Sequence, residues 1–327
     1  MIPEEYLKLV EDIRFGRIYS STETVIKSIE ALRNILYNGG NREALLSFAE
    51  LAEKLVEVRP TSALLKNSIR EITVNVLEAY KREGIEGARE AADETLENIK
   101  RHITISLDTS ASIAAKRIQD GDVILTNSYS IFIKETLRRA LAEGKNFSIY
   151  VTESRPGSEG LKLAEEAYHM GIPVTLIVDS AVRYFMKEID KVLLASEAVA
   201  ANGAVINKVG TSLIALAANE ARVRVFIVST TLKFSPETIL GEYVEIAEAD
   251  PNLLLPEDKR KIWGSRVKAR APLFDVTPPE YIDAIITERG LIAPQVVVML
   301  IREIYGWPPK VSRVEDEIRE LKRVARS

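Results

Sequence analysis

The stretch "DVILTNSYSIFIKETLRRAL" (residues 122–141) reads as a buried strand, a tight polar loop and then a helix. The loop holds Thr126, Asn127, Ser128, Tyr129 and Ser130. Other apolar runs end in similar groups: Thr152, Glu153, Ser154 and Arg155 after one, Asp179 after another, then Glu197, then residues 230–233 with Lys233. Hydroxyls, carboxylates, an arginine and a lysine gathered at strand ends suit a small, polar, anionic ligand. Arginine grips phosphate oxygens bidentately, and lysine supplies a point charge. The plain alternative is helix capping, which is favoured for Ser130 and Asp179 because each stands just before a helical pattern. Arg155 and Lys233 favour a ligand, since a helix N-terminus has no use for a cation.

These residues need a frame to hold them. β-branched runs at 122–126, 147–153, 173–179, 191–197 and 224–230 alternate with helical patterns near 130–143, 159–170, 180–188 and 211–222. Continuous apolar strands alternating with helices predict a parallel sheet covered on both faces. Right-handed crossovers make it doubly wound, and in such folds the ligand lies beyond the carboxyl ends of the strands. Upstream, the chain is helical. "SSTETVIKSIEALRNILYNGG" (20–40) opens on a capping box, Ser20 with Glu23. Val25, Ile29, Leu32, Ile35 and Leu36 recur at helical spacing, and the helix stops at Gly39-Gly40. A second helix ends before Arg59-Pro60, and residues 62–100 stay helical with a break expected near 84–87. The fold class expected is α/β, an N-terminal helical bundle followed by a parallel-sheet domain. The expected division is a helical domain at 1–117, an α/β domain at 118–311 and an amphipathic helix at 312–327. In that last helix Val314, Ile318, Leu321 and Ala325 form one stripe, for packing on the body or on a partner.

Composition narrows the function. The chain has 327 residues, 46% hydrophobic and 28% charged, with a net charge of -4. That balance argues against a broad electrostatic footprint for nucleic acid, so no direct DNA binding is expected. No apolar run approaches the ~20 residues that span a bilayer, and no basic-then-apolar start reads as a signal peptide. A cytoplasmic protein without membrane contact is the expectation. Cysteine is absent, which removes disulfides, thiolate metal sites and thiol catalysis. His102 and His169 lie far apart without ligand-spaced partners, so no metal is expected and both read as surface or helix-end residues. Only Gln119 and Gln295 are glutamines; few glutamines, no cysteine and abundant charge suggest a thermophile. G-x-x-x-x-G-K-[ST], G-x-G-x-x-G and G-x-S-x-G are all missing. No cofactor is expected.

Four segments carry more specific information: "RPTSALL" (59–65), "VTESRPGSEG" (151–160), "ANGAVINKVGT" (201–211) and "FDVTPPEYIDAIITERG" (274–290). Occurring together and in order, they resemble the family that contains the alpha, beta and delta regulatory subunits of translation initiation factor 2B, ribose-1,5-bisphosphate isomerase and methylthioribose-1-phosphate isomerase. The resemblance runs over about residues 40–306. It implies a helical domain before a Rossmann-like domain, dimerisation through the latter, and a sugar-phosphate site between them. It also implies that Arg59, Arg155, Asn207, Lys208 and Lys233 fall on or beside positions that contact phosphate or sugar hydroxyls. Asn202-Gly203 reads as a turn that brings backbone close to a ligand.

Within the family the site divides. The isomerases carry a cysteine in a T-H-C loop, which aligns with residues 126–130 and places Ser128 at the cysteine. Their G-A-D aspartate aligns with Glu197, and their R-G-A element aligns with Tyr19-Ser20-Ser21. The alpha regulatory subunit is similar at T-H-A-Y-S, V-T-E-S-x-P and G-A-E, so Tyr129, Ser154 and Glu197 follow it. Isomerisation needs a group that exchanges a proton near pH 7. A thiol of reference pKa about 8.5 is in range, whereas a serine hydroxyl is not without a base. Glu197 reaches one methylene further than aspartate, and a misplacement of about 1 Å can cost ~100-fold. Ser128 and Glu197 are therefore expected at catalytic positions but inactive, with Arg59, Tyr129, Arg155, Asn207, Lys208 and Lys233 binding a small phosphorylated ligand. The leading expectation is a non-catalytic regulatory-type protein, a homodimer or larger homo-oligomer, with translation initiation factor 2 as a candidate partner. The alternative is a sugar-1-phosphate aldose–ketose isomerase acting on ribose 1,5-bisphosphate.

Overall fold

The computed structural model describes residues 2–18, 20–307 and 311–326. Tyr19, the first residue of the stretch aligned with the R-G-A element, lies outside them. Four helices come first: α1 (Glu4–Arg14), α2 (Ser21–Ile35), α3 (Asn41–Val58) and α4 (Ala63–Ala115). Strands and helices then alternate: β1 (Val123–Thr126), α5 (Ile131–Ala142), β2 (Ser148–Thr152), α6 (Gly160–His169), β3 (Val174–Ile177), α7 (Val182–Phe185), β4 (Lys191–Leu194), β5 (Ala198–Ala200), β6 (Val205–Lys208), α8 (Thr211–Ala221) and β7 (Arg224–Val228). The remainder is β8 (Phe234–Ser235), α9 (Glu257–Trp263), β9 (Phe274–Thr277), β10 (Ala284–Thr287), β11 (Gly290–Ile292), α10 (Val297–Tyr305) and α11 (Val314–Arg326).

The helical layer forms for the reasons its sequence gives. Ser20 caps α2, its Oγ accepting from the Glu23 amide at 3.3 Å, and Val25, Ile29, Leu32 and Ile35 are buried. α3 stops as Arg59 leaves helical geometry (φ -138°, ψ 66°), ahead of a proline that disfavours the α region for its neighbour. α4 runs beyond residue 100, further than its pattern predicts, and is interrupted at Gly84, where φ is 69°. Gly87 stays inside the helix. α11 packs on this body: Val314, Ile318, Leu321 and Ala325 are at most 5% exposed and join the core made by α1 to α4. Burying a leucine such as Leu321 contributes about 1.5–3 kcal/mol.

The large sheet has the order β11-β10-β7-β4-β1-β2-β3. Its pairings are parallel except β10 with β11. One face packs on the end of α4, α5 and α6 through residues such as Ala114, Ile133 and Leu163. The other packs on α7, α8 and α10 through Val182, Ile214 and Val297. Five of the seven strands lie where the apolar runs predict them. A second sheet, ordered β8-β5-β6-β9, was not predicted from the sequence. The Asn202-Gly203 turn is the β5–β6 hairpin, with the Gly203 amide donating to the Ala200 carbonyl at 2.8 Å. Gly203 has φ +85°, and a Cβ there would meet the Pro294 carbonyl oxygen at 2.3 Å. The close approach expected toward a ligand is thus toward the chain's own backbone. Gly160 is needed for a similar reason: a Cβ would sit 1.8 Å from the Thr152 oxygen, where α6 starts against the end of β2. Among the described residues no helix is long and apolar enough to cross a membrane.

Candidate functional site

The strand order reverses between β1 and β4. From β1 the chain builds β2 and β3 on one side, and β4, β7 and β10 extend the other. In doubly wound sheets that reversal opens a crevice at the carboxyl ends of the two strands. Ser128 stands two residues past β1, and Glu197 three past β4. The topology thus brings the two residues aligned with the isomerase cysteine and aspartate to neighbouring strand ends.

Glu197 is 5% exposed and does not stand alone. Arg59, delivered from the α3–α4 connection, meets it with Nε–Oε1 3.0 Å and Nη2–Oε2 3.3 Å. The third Arg59 nitrogen donates to Thr24 Oγ1 at 3.2 Å. Lys233, 3% exposed, donates from Nζ to the Ser196 carbonyl and lies 5.4 Å from the centre of the Phe132 ring. Burial pushes the Glu197 carboxyl up, but the Arg59 guanidinium and Lys233 ammonium outweigh it and hold the carboxyl below its usual range. Burial lowers the Lys233 ammonium to about 8, opposed by Glu197 and assisted by Arg59. The cluster is a buried carboxylate held ionised beside an amine that exchanges protons near neutrality.

Around it the strand ends are tightly fixed. Ser128 and Ser154 both lie in the left-handed region, at φ 57° and 62°. For serine this costs about 1–3 kcal/mol, a strain concentrated at functional sites. The Ser128 amide donates to Ser154 Oγ at 2.7 Å. Asp179 accepts from the amides of Ser154 (2.9 Å) and Arg155 (2.8 Å). Its expected capping role is therefore not what the structure shows: the carboxylate holds the β2 end. Ser130 occupies the position before α5, but its side chain makes no capping bond. Thr211 Oγ1 accepts from Asn127 (3.1 Å) and Asn207 (3.0 Å) and donates to the Lys208 carbonyl (2.6 Å). Thr126 Oγ1 and Asn127 Oδ1 are buried without a hydrogen-bond partner among the described residues.

The remaining predicted residues each have a partner of their own. Lys208 Nζ pairs with Glu159 Oε1 at 2.6 Å, 11% exposed, so it is not a surface residue. Tyr129 turns toward α6, its hydroxyl donating to Glu166 Oε1 at 3.1 Å. Burial, with Glu166, pushes its phenol up to about 12. Arg155 reaches the Leu253 carbonyl at 3.0 Å. Arg155, Lys208 and Lys233 thus each engage a different partner within the chain. Sequence reasoning missed Thr211 and Asp275. Asp275, on β9, accepts from the Gly210 amide at 2.7 Å and the Ser212 amide at 3.1 Å, anchoring the start of α8. Burial pushes its carboxyl up to about 6, against those two amides. No group of residues among those described fits a metal ion. A cavity of about 440 Å³ between α3 and α11 is lined by Glu57, Lys66 and Arg319, away from the strand ends.

Comparison with known proteins is consistent with this geometry. A profile of the Initiation factor 2 subunit family matches residues 17–294. A ribose 1,5-bisphosphate isomerase of Thermococcus kodakarensis is 42% identical over 266 residues, 80% of this chain and 81% of that one. A ribose 1,5-bisphosphate isomerase of Pyrococcus furiosus is 38% identical over 315 residues, 94% of this chain and 96% of that one. The crystal structure of a Pyrococcus horikoshii translation initiation factor eIF-2B superposes with a TM-score of 0.76 at 31% identity, covering 89% of this chain and 98% of that one. The two relatives named as isomerases are more identical to this chain than the initiation factor is.

Proposed function

We propose, from the premise that this chain belongs to the Initiation factor 2 subunit family, that it binds a ribose bisphosphate at the β1/β4 crevice and interconverts its aldose and ketose forms. The observation that carries this reading is the buried Arg59–Glu197–Lys233 cluster at the strand-order reversal. The identity to two ribose 1,5-bisphosphate isomerases supports it. Isomerisation moves hydrogen between two adjacent sugar carbons. C2 loses its C–H proton and C1 gains one; the ring C1–O4 bond breaks, O4 takes up a proton, and the C2 hydroxyl gives its proton up as C2 becomes the carbonyl, so C2 is oxidised as C1 is reduced with no external redox partner. Glu197, held ionised, is the group to take a proton. Lys233, with its ammonium near 8, is the group to give one. Ser128, at the aligned cysteine position, orients the sugar through its hydroxyl. Thr126 Oγ1 and Asn127 Oδ1, buried and unpartnered, suit sugar hydroxyls.

A second reading rests on Ser128 and on the engagement of Glu197 with Arg59: the crevice binds the sugar phosphate without turning it over and signals to partners. Homo-oligomerisation belongs to both readings, and translation initiation factor 2 as a partner to the second. The test is incubation with ribose 1,5-bisphosphate at raised temperature, followed by NMR, with Ser128→Cys in parallel. Formation of ribulose 1,5-bisphosphate by the wild type supports the enzyme. Shifted ligand signals without conversion select the second reading.

A further inference from the structure

Residues 250–270 form a long loop tied at its neck. The Ala249 amide donates to the Ala271 carbonyl at 2.8 Å and the Leu273 amide to the Ala247 carbonyl at 2.9 Å. Leu255 is the buried anchor, 7% exposed, and every residue from 256 to 268 is exposed. Within the loop, "KRKIWGSRVKAR" (259–270) holds six cations, Lys259, Arg260, Lys261, Arg266, Lys268 and Arg270, and no acidic residue. With -4 for the whole chain and +6 for this stretch, the rest carries -10. The 250–270 loop as a whole, with Asp250, Glu257 and Asp258, is net +3, a local asymmetry that the overall charge does not show.

Among the described residues, three of these six cations are paired with carboxylates of the chain and three are not. Lys261 pairs with Glu257 at 2.8 Å, Arg270 pairs with Glu248, and Lys259 is 3.8 Å from Asp258. Arg260, Arg266 and Lys268 have no ion pair among the described residues. Like charges this dense repel one another, and a polyanion relieves the repulsion while releasing its own counterions. The loop also exposes Trp263 (45%) beside Ile262 (74%). A basic track with an exposed aromatic ring is what unpaired bases stack on. A membrane fits less well, because α9 has seven residues with only Ile262 and Trp263 as apolar members.

We propose that the 250–270 loop is a docking surface for single-stranded nucleic acid, its cations tracking phosphates and Trp263 stacking on a base. It does not depend on the chemistry proposed for the crevice. The test is fluorescence anisotropy with a labelled oligouridylate of about 12 nucleotides, a length suited to one such track. Binding is expected to weaken with salt with a log–log slope between about -2 and -4, since each single-strand phosphate contact contributes ~-0.7. Arg260→Glu/Arg266→Glu/Lys268→Glu should weaken it at least ~10-fold with the circular dichroism spectrum unchanged, because all three side chains are exposed and unpaired. In a Trp307→Phe background, the oligonucleotide should quench the fluorescence of Trp263. Oligothymidylate distinguishes DNA from RNA as the source, and binding of either supports the surface. Salt-insensitive binding, undiminished binding by the triple variant, or tighter binding to duplex or to phosphatidylserine vesicles would overturn it.

Discussion

Arg59 and Glu197, 138 residues apart in sequence, are joined by two contacts of 3.0 and 3.3 Å across the boundary between the helical layer and the sheet. Their side chains are 17% and 7% exposed. Removing one member of a buried pair leaves the other charge uncompensated, which costs about 3–5 kcal/mol. Arg59→Ala should therefore lower unfolding free energy by that amount in a denaturant titration. A loss below about 1 kcal/mol, the range of exposed pairs, would show that Glu197 finds water or another partner instead.

Lys233 sets the expected pH dependence of turnover. In the proposed isomerisation it is the proton donor and must be charged, and its ammonium is lowered to about 8 by burial. Glu197 is held below its usual range and stays ionised at neutral pH. The ratio kcat/KM should be level through neutral pH and fall about tenfold per pH unit above 8. A profile that stays level through about pH 10, the ordinary lysine range, would remove Lys233 from the proton-transfer role.

Asp275 makes a prediction about stability. Its folded-state value of about 6 lies above the ordinary 3.8, so the folded state holds the proton more tightly than the unfolded chain. Stability from this group is greatest below the unfolded value and is lost as pH rises through the folded value. The loss, about 1–3 kcal/mol after allowance for solvent on its open side, should appear between about pH 4 and 6. Melting temperatures of Asp275→Asn should lack this decline, so the variant gains on the wild type across that window. Parallel curves would show that Asp275 titrates alike in both states.

Leu321 tests whether α11 belongs to the body. It is fully buried in the core of the helical layer. Leu321→Ala should cost about 2–5 kcal/mol, measured by chemical unfolding. A cost under about 1 kcal/mol would mean that α11 contributes little to that core.

Several elements could be read from sequence because their signals are local. Ser20 with Glu23, the break near Gly84 and the five apolar strand runs each need only a short window. The second sheet could not be read: β5 and β8, three and two residues long, are too short for a period, and β6 ends in the polar pair Asn207-Lys208. Their pairing depends on partners as distant as β9. The site divided the same way. Ser128, Glu197 and Lys233 could be named from sequence, but the grip of Arg59 on Glu197 could not. That Arg155, expected at the ligand, also holds the Leu253 carbonyl could not be read, because the partner lies on a loop about 100 residues downstream. Asp179 looked like a cap and proved to be a clamp on β2, since its own turn leaves the carboxylate free to reach sideways.

The seat of α11 also fixes an order of events during synthesis. α1 to α4 emerge first, yet the groove between α3 and α4 stays open until Val314, Ile318, Leu321 and Ala325 arrive to fill it. Until those four residues are made, the apolar side chains that they cover have no native partner.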